Sequence, residues 1–317
     1  MPETPNNDPA WERKIIEKLA LDALAEQRRR RRWGIFFRIL GFSYLTVLVV
    51  ILGDWGGTAD RLGDGKKHTA LVQLTGVIKP TGEASAEKIV EALQAAFKDG
   101  GTQGVILRIN SPGGSPVQSG IINDEIRRLR AKYPNVPLYA VVEDICASGG
   151  YYVAAAADKI FVDKASIVGS IGVLMDGFGF TGTMDKLGVE RRLLTAGDNK
   201  GFLDPFSPQD IKQKQHAQIL LDDIHKQFIE VVRKGRGKRL KESPELFSGL
   251  MWTGDMSIQL GLADALGSVE YVAREVIKAE EIRDYTLRAS LTDRLARQFG
   301  TEIAEGIMNS LGKFGLR

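Results

Sequence analysis

Asp144-Ile-Cys-Ala-Ser-Gly-Gly-Tyr-Tyr152 decides how this chain is read. The run before it, Leu138 to Val142, is apolar, rich in β-formers and too short for a helix, and the small residues after it, Val153 to Ala157, read as helix. Ser148 therefore stands where a strand gives way to a helix. At such a junction a side chain is lifted clear of the sheet, while the first N–H groups of the helix stay unpaired and face whatever binds there. The two glycines that follow let backbone and ligand approach closely. Taken alone, the stretch fits a helix-capping serine as well as a nucleophile.

Working outward, strand and helix alternate. Upstream, strands are expected at His68 to Leu74 and Val77 to Lys79, a helix at Ser85 to Phe97 capped by Ser85, and a strand at Val105 to Ile109. Asn110-Ser-Pro-Gly-Gly114 breaks that strand, and helix resumes from Val117 to Lys132. Downstream, strands are expected at Lys159 to Val162, Gly169 to Leu174 and Glu190 to Thr195, with a small helix at Thr183 to Leu187. A loop, Ala196 to Ser207, holds Lys200. Ser207, Pro208 and Asp210 then open a long helix whose Ile211, Ile219, Ile224, Phe228 and Val231 are expected to face inward, and Gly235-Arg-Gly237 ends it. Met251 to Leu266 and Val269 to Glu281 read as further helical units. This order predicts an α/β fold with a largely parallel sheet wrapped by helices.

Two glycine turns, Pro112-Gly-Gly114 and Ser148-Gly-Gly150, follow strands of the same sheet, so they face a common crevice. Either they are plain tight turns, or a nucleophile on one and N–H donors on both form an oxyanion hole. A serine nucleophile needs a base. His68 adjoins a linker, and His216 and His225 sit among charged residues of the long helix as expected surface positions, which leaves a Ser-His-Asp triad poorly supported. Lysine is the alternative base, and Lys200 is the candidate because Phe202, Leu203, Pro205 and Phe206 can bury it. The competing reading is a surface loop lysine. A free lysine titrates near 10.4, so a base role requires a fall of roughly 3 pH units, about 4 kcal/mol, which burial can provide.

Other patterns read as structural. Ser85-Ala-Glu-Lys88 matches a Ser-x-x-Lys pattern without the accompanying motifs, and Gly177 to Gly182 matches a dinucleotide pattern without its βαβ unit. Cys146 reads as a small buried hydrophobe. As the single cysteine it excludes a disulfide framework within one chain and a multi-cysteine metal site. No cofactor and no metal are expected.

The 317 residues, 43% hydrophobic and 26% charged, suffice for a full core. Residues 1–33 are polar and end in five arginines, Arg28 to Arg32. An RNA-binding patch is one reading of them. Residues 34–53 are apolar apart from Arg38, which predicts a bilayer-spanning anchor with the arginines on the cytoplasmic side. Residues 1–53 carry nine of the 43 Lys and Arg and six of the 40 Asp and Glu, so the remainder balances at 34 of each and gives no sign of nucleic acid binding. Residues 54–67 read as a flexible tether and 284–317 as a tail that includes an amphipathic helix, for which contact with protein is favoured over lipid.

Within an expected peptidase domain at residues 68–283, the chain from about His68 to Tyr271 resembles the signal peptide peptidase A group of membrane-bound serine peptidases, within the Clp protease and crotonase fold superfamily. The resemblance is carried by Arg108-Ile-Asn-Ser-Pro-Gly-Gly114, Ala147-Ser-Gly-Gly-Tyr-Tyr152, Gly169-Ser-Ile-Gly-Val173, Lys200 with Pro205-Phe206, and Gly261-Leu-Ala-Asp264. It implies a repeated ββα spiral behind a single transmembrane helix. It also implies Ser148 as nucleophile, Lys200 as general base, Ser170 as the residue that orients the lysine amine, and the Gly149 and Gly114 amides as oxyanion donors. Cleavage of signal peptides or other apolar peptides, a catalytic domain outside the cytoplasmic membrane, and a homo-oligomer with serine and lysine from neighbouring subunits come from the same resemblance. Cys146 departs from it, standing where alanine is expected. The alternatives are a non-catalytic membrane scaffold of the same fold and a crotonase-like acyl-CoA enzyme.

Overall fold

A computed structural model describes residues 9–52 and 66–287, which divide between two compact units: residues 1–62 with 289–317, and residues 63–288. In the first, α1 (Pro9–Leu52) is one uninterrupted helix of 44 residues that runs through the arginines into the apolar segment. Its only proline is the first residue, where no helical hydrogen bond is lost. Trp33 packs against Phe36 and Phe37 with ring centroids 5.7 Å apart in both pairs. Among the described residues no helix is long and apolar enough to cross a membrane. The described side chains of α1 stop at residue 47, so the end of the expected anchor lies outside them, as do most of the tether and the tail from residue 288.

The second unit is built on β1 (His68–Thr75), α2 (Ala86–Lys98), β2 (Thr102–Ser111), α3 (Pro116–Lys132), β3 (Leu138–Ala147) and α4 (Gly149–Ala154). It continues with β4 (Lys159–Val162), β5 (Ile167–Gly169), α5 (Thr181–Leu187) and the long α6 (Ile211–Arg236). Then come β6 (Met251–Thr253), α7 (Gly254–Gln259), β7 (Ala265–Leu266), α8 (Val269–Tyr271) with a π-helical extension to Ile277, and β8 (Ile282–Asp284). The sheet runs β6-β5-β3-β2-β1-β8, with β4 beside β3 and β7 beside β4. Every pairing is parallel except β5 with β6.

Strand residues alternate between two buried faces. Ala70, Val72, Val105, Leu107, Ala140 and Val142 join the larger core with Leu93, Ile122, Ile126 and Tyr151 of the helices. Leu71, Ile106 and Val141 pack on the other side against Val269, Val272 and Ala273. Burial on both faces is why these strands read as continuous apolar runs.

β3 positions the site. Its first half pairs with β4 and its last three residues with β5. Against β2 the register jumps from Ile109 opposite Val142 to Ser111 opposite Cys146, so β3 carries two extra residues in a bulge. The bulge is fastened from several sides: Arg108 pairs with Glu143 at 2.8 Å, Asn110 Nδ2 donates to Asp144 at 2.8 Å, and Ser166 Oγ donates to the Glu143 carbonyl at 2.5 Å.

Several expectations are corrected. Val77 to Lys79 makes only an isolated bridge, Ile78 to Gly114, because Gly76 at φ +86° turns the chain before it and Pro80 follows. The strand expected from Gly169 ends there, since Gly169 at φ +114° and Ser170 at φ +50° bend the backbone. Residues 190–195 pair with no strand and are exposed. Asp210, not Ser207, caps α6, accepting from the Lys212 and Gln213 N–H groups, while Ser207 Oγ donates to Asp204. Ile211 and Ile219 on α6 point to solvent, at 74% and 63% exposure, and that helix is buried through Ala217, Phe228, Val232 and Arg236. The unit read as helical from Met251 contains β6 and β7, and the helix from Val269 ends at Lys278, in a left-handed conformation at φ +65°.

Candidate active site

Ala147, the last residue of β3, lies opposite Gly169 of β5, and the Ser148 N–H donates to the Gly169 carbonyl at 2.8 Å. Ser148 has φ 50° and ψ −122°, a conformation costly for a residue with a Cβ, by about 1–3 kcal/mol. It occupies the N-cap of α4, yet its hydroxyl caps nothing, so the ordinary capping reading fails. Ser170 leaves the neighbouring strand with the same φ of 50°, its N–H held by the Leu250 carbonyl at 2.8 Å. The two serines thus exit adjacent strands side by side.

The Gly113-Gly114 turn closes against them. A Cβ added to Gly113 would lie 2.7 Å from both Ser148 Cβ and the Gly149 nitrogen, and one added to Gly149 would lie 3.2 Å from the Gly114 nitrogen. Only glycine fits either position. Ile78 N–H donates to the Gly113 carbonyl at 2.8 Å, so in the planar trans peptide that follows, the Gly114 N–H points away from Ile78. Neither this N–H nor that of Gly149, at the start of α4, has an acceptor among the described residues. Ser148, Gly114 and Gly149 therefore meet around one space with two donors free.

Behind this space α4 is anchored on two sides. Asn123 of α3 donates to the Tyr152 carbonyl at 2.7 Å, and Tyr151 OH donates to the Leu262 carbonyl at 2.8 Å. In the Gly261-Leu-Ala-Asp264 loop, buried Arg236 donates to the Gly261 carbonyl and to Asp264, at 2.8 and 2.9 Å. Burial is the largest single influence on the Asp264 carboxyl and opposes its charge. Arg236, the Ile160 N–H and Arg239 together outweigh it and hold the carboxyl below its ordinary range. Cys146 is fully buried under the turn, and burial pushes its thiol far above the usual range.

Lys200 stands apart. In one protomer it is exposed, and its amine shares no hydrogen bond with Ser148 among the described residues. The aromatic residues expected to bury it are engaged elsewhere: Phe202 packs edge-on to His216, and Phe206 stacks on Phe180 with ring centroids 5.4 Å apart. A groove of about 940 Å³ runs past Asp198 and Gly201, which flank Lys200, and is walled by Met175, Phe178, Leu193 and Leu221; neither Ser148 nor Lys200 lines it. This groove therefore belongs to the lysine-bearing segment and not to the serine. His68 is fully buried, 3.0 Å from Tyr285 OH. His225 is half-buried against the Ile171 carbonyl at 3.1 Å, a contact its polar sequence neighbours do not reveal. Ser111 Oγ, bonded to Gly76 and Gly113, was also not singled out by sequence, although it lies inside the Asn-Ser-Pro-Gly-Gly motif.

The family model for Peptidase family S49 matches residues 130–283, which hold the Ser148 turn, Ser170 and Lys200. A Methanocaldococcus jannaschii protein provisionally named a protease is 31% identical over 240 residues, 75% of this chain and 71% of that one. The chain belongs to peptidase family S49. Within that family, a protein of Enterococcus faecium provisionally named signal peptide peptidase SppA is 29% identical over 261 residues, and protease 4 of Haemophilus influenzae is 32% identical over 203. A higher identity, 44% over 202 residues, is to a sodium/proton antiporter of Brucella melitensis, of whose length this chain spans only 27%, and of the Brucella abortus counterpart 28%. The family match, residues 130–283, includes the serine turn. Protease names recur among these S49 relatives.

Proposed function

We propose that this S49 peptidase works through a Ser148–Lys200 dyad and degrades signal peptides and other apolar peptides. Neutral Lys200 takes the Ser148 proton, and the oxygen attacks the amide carbon. The N–H groups of Gly149 and Gly114 hold the charge that develops on the carbonyl oxygen. The protonated amine then gives its proton to the leaving nitrogen. Water, deprotonated by the same lysine, releases the acyl group from Ser148. Ser170, beside Ser148, orients the amine. The observation that carries the reading is the convergence of an uncapped, strained serine with two free amide donors.

The dyad is shared between subunits in this reading. In the protomer Lys200 is exposed and makes no hydrogen bond to Ser148 among the described residues. Lys200 becomes competent when a second copy covers it, and exposed apolar residues of the same chain segment, among them Leu174 at 80% exposure and Leu194 at 96%, supply a surface for that contact. The ββα spiral of the Clp and crotonase group fits a β3 strand that passes from β4 to β5 along its length.

α1 supplies the membrane anchor. Five consecutive arginines on a helix, 100° apart, form a collar around the axis where a nucleic-acid-binding face would need a stripe. A collar followed by Trp33, Phe36 and Phe37 suits a helix entering a bilayer through its headgroups, with residues 34–53 spanning it. The N-terminus then lies in the cytoplasm and the peptidase unit on the periplasmic or extracellular side.

A serine-reactive fluorophosphonate tests the chemistry. Labelling that Ser148→Ala abolishes and Lys200→Ala strongly reduces supports the dyad. An assembled, folded protein that takes no label supports the non-catalytic scaffold instead.

A further inference from the structure

Ser111, the last residue of β2, is fully buried. Its hydroxyl is used twice: Oγ donates to the Gly76 carbonyl at the exit of β1, at 2.6 Å, and accepts the Gly113 N–H at 3.2 Å. One hydroxyl can do both, having a donor and two acceptor positions. Both partners lie outside the β2–β3 ladder, in the loops that frame the Gly114 amide.

The Gly113 N–H is thus taken by Ser111 and the Gly113 carbonyl by the Ile78 N–H at 2.8 Å. With both ends of the residue held, the Gly113–Gly114 peptide plane has one orientation, and the Gly114 N–H is the donor left over. Gly76 donates its own N–H to the Asn110 carbonyl at 2.9 Å, so neighbouring residues of β2 fasten both the glycine turn and the segment carrying Ile78. A turn of two glycines at φ +103° and +146° has no side chain to resist rotation, and its direction depends on these hydrogen bonds.

We propose that Ser111 is a positioning residue for the oxyanion hole, its hydroxyl locking the glycine turn so that the Gly114 N–H faces the substrate carbonyl oxygen. This rests on the reading of Ser148 as nucleophile. It is tested on the full-length assembled enzyme with Ser111→Ala and Ser111→Cys, beside Ser148→Ala. The readouts are kcat and KM on an apolar fluorogenic peptide, inhibition by a peptide aldehyde whose adduct carries an oxyanion, and thermal melting.

Ser111→Ala is expected to lower kcat about 10- to 100-fold and leave KM within about two-fold, because a misdirected donor is felt only once charge develops. The aldehyde is expected to weaken by the same factor as kcat. Ser111→Cys, similar in size but a poorer donor and acceptor, is expected to fall between. Wild-type kcat in Ser111→Ala overturns the proposal, as does a fall in kcat with aldehyde binding unchanged. So does loss of cooperative melting in both Ser111 variants, since the hydroxyl then serves the fold. Activity retained in Ser148→Ala overturns the nucleophile and this proposal with it, whereas an inert Ser148→Ala beside an unaltered Ser111→Ala overturns this proposal alone.

Discussion

At Ser148 chemistry and strain coincide, and they can be separated. The φ of 50° burdens any residue with a Cβ and is open to glycine. Ser148→Ala and Ser148→Gly are both expected to be inactive, but the glycine variant is expected to be more stable by about 1 kcal/mol, raising the melting temperature by about 2–4 °C relative to alanine. Equal melting temperatures would show that the turn relaxes once the hydroxyl is gone. That two glycine turns follow strands of one sheet is legible in the sequence, whereas the choice of Gly114 and Gly149 as donors comes from the family resemblance. Ser111 is not legible there, since a buried serine next to a turn carries no periodic signal. Elimination of histidines points to Lys200 as the candidate base, and its four apolar sequence neighbours suggest burial, whereas in the protomer the two phenylalanines among them pack on other partners.

The elements around the site depend on close backbone contacts and on one ion-pair cluster. A Cβ on Gly114 would meet the Ile78 carbonyl oxygen, so Gly114→Ala is expected to displace the turn and lower kcat by about 100-fold, comparable to loss of an oxyanion donor, with the rest of the sheet intact by circular dichroism. Asp264 ties α6 to the loop behind α4, and its carboxyl lies below its ordinary range in the folded state. A carboxylate with a depressed value stabilises the fold above its unfolded pKa, and the benefit is lost as pH falls through the folded one. Thermal midpoints are expected to drop below about pH 4, and Asp264→Asn to cost about 2 kcal/mol at pH 7 while flattening that acid slope. Strands buried on both faces were readable as apolar runs. The bulge in β3 was not, because Glu143 and Asp144 look like the end of a strand, and only the partner register shows that the strand continues to Ala147.

For the whole molecule, none of residues 172–216 is buried, although Leu174, Phe178, Leu187 and Leu194 are each at least 72% exposed. A lone chain in water rarely leaves so much apolar surface uncovered. Charging it with Phe178→Glu and Leu194→Glu is expected to yield a folded, inactive monomer by sedimentation, and an active monomer would place the dyad within one chain. The sharper test uses two inactive variants. If Ser148 of one subunit works with Lys200 of the next around a head-to-tail assembly, then in a random co-assembly of Ser148→Ala and Lys200→Ala chains a site is intact wherever a Lys200→Ala chain supplies the serine and its neighbour the lysine. That arrangement holds at about a quarter of the interfaces, so about a quarter of wild-type activity is expected to return. If both groups come from one chain, every site in the mixture lacks one of them, and the activity stays at zero however well the assembly forms.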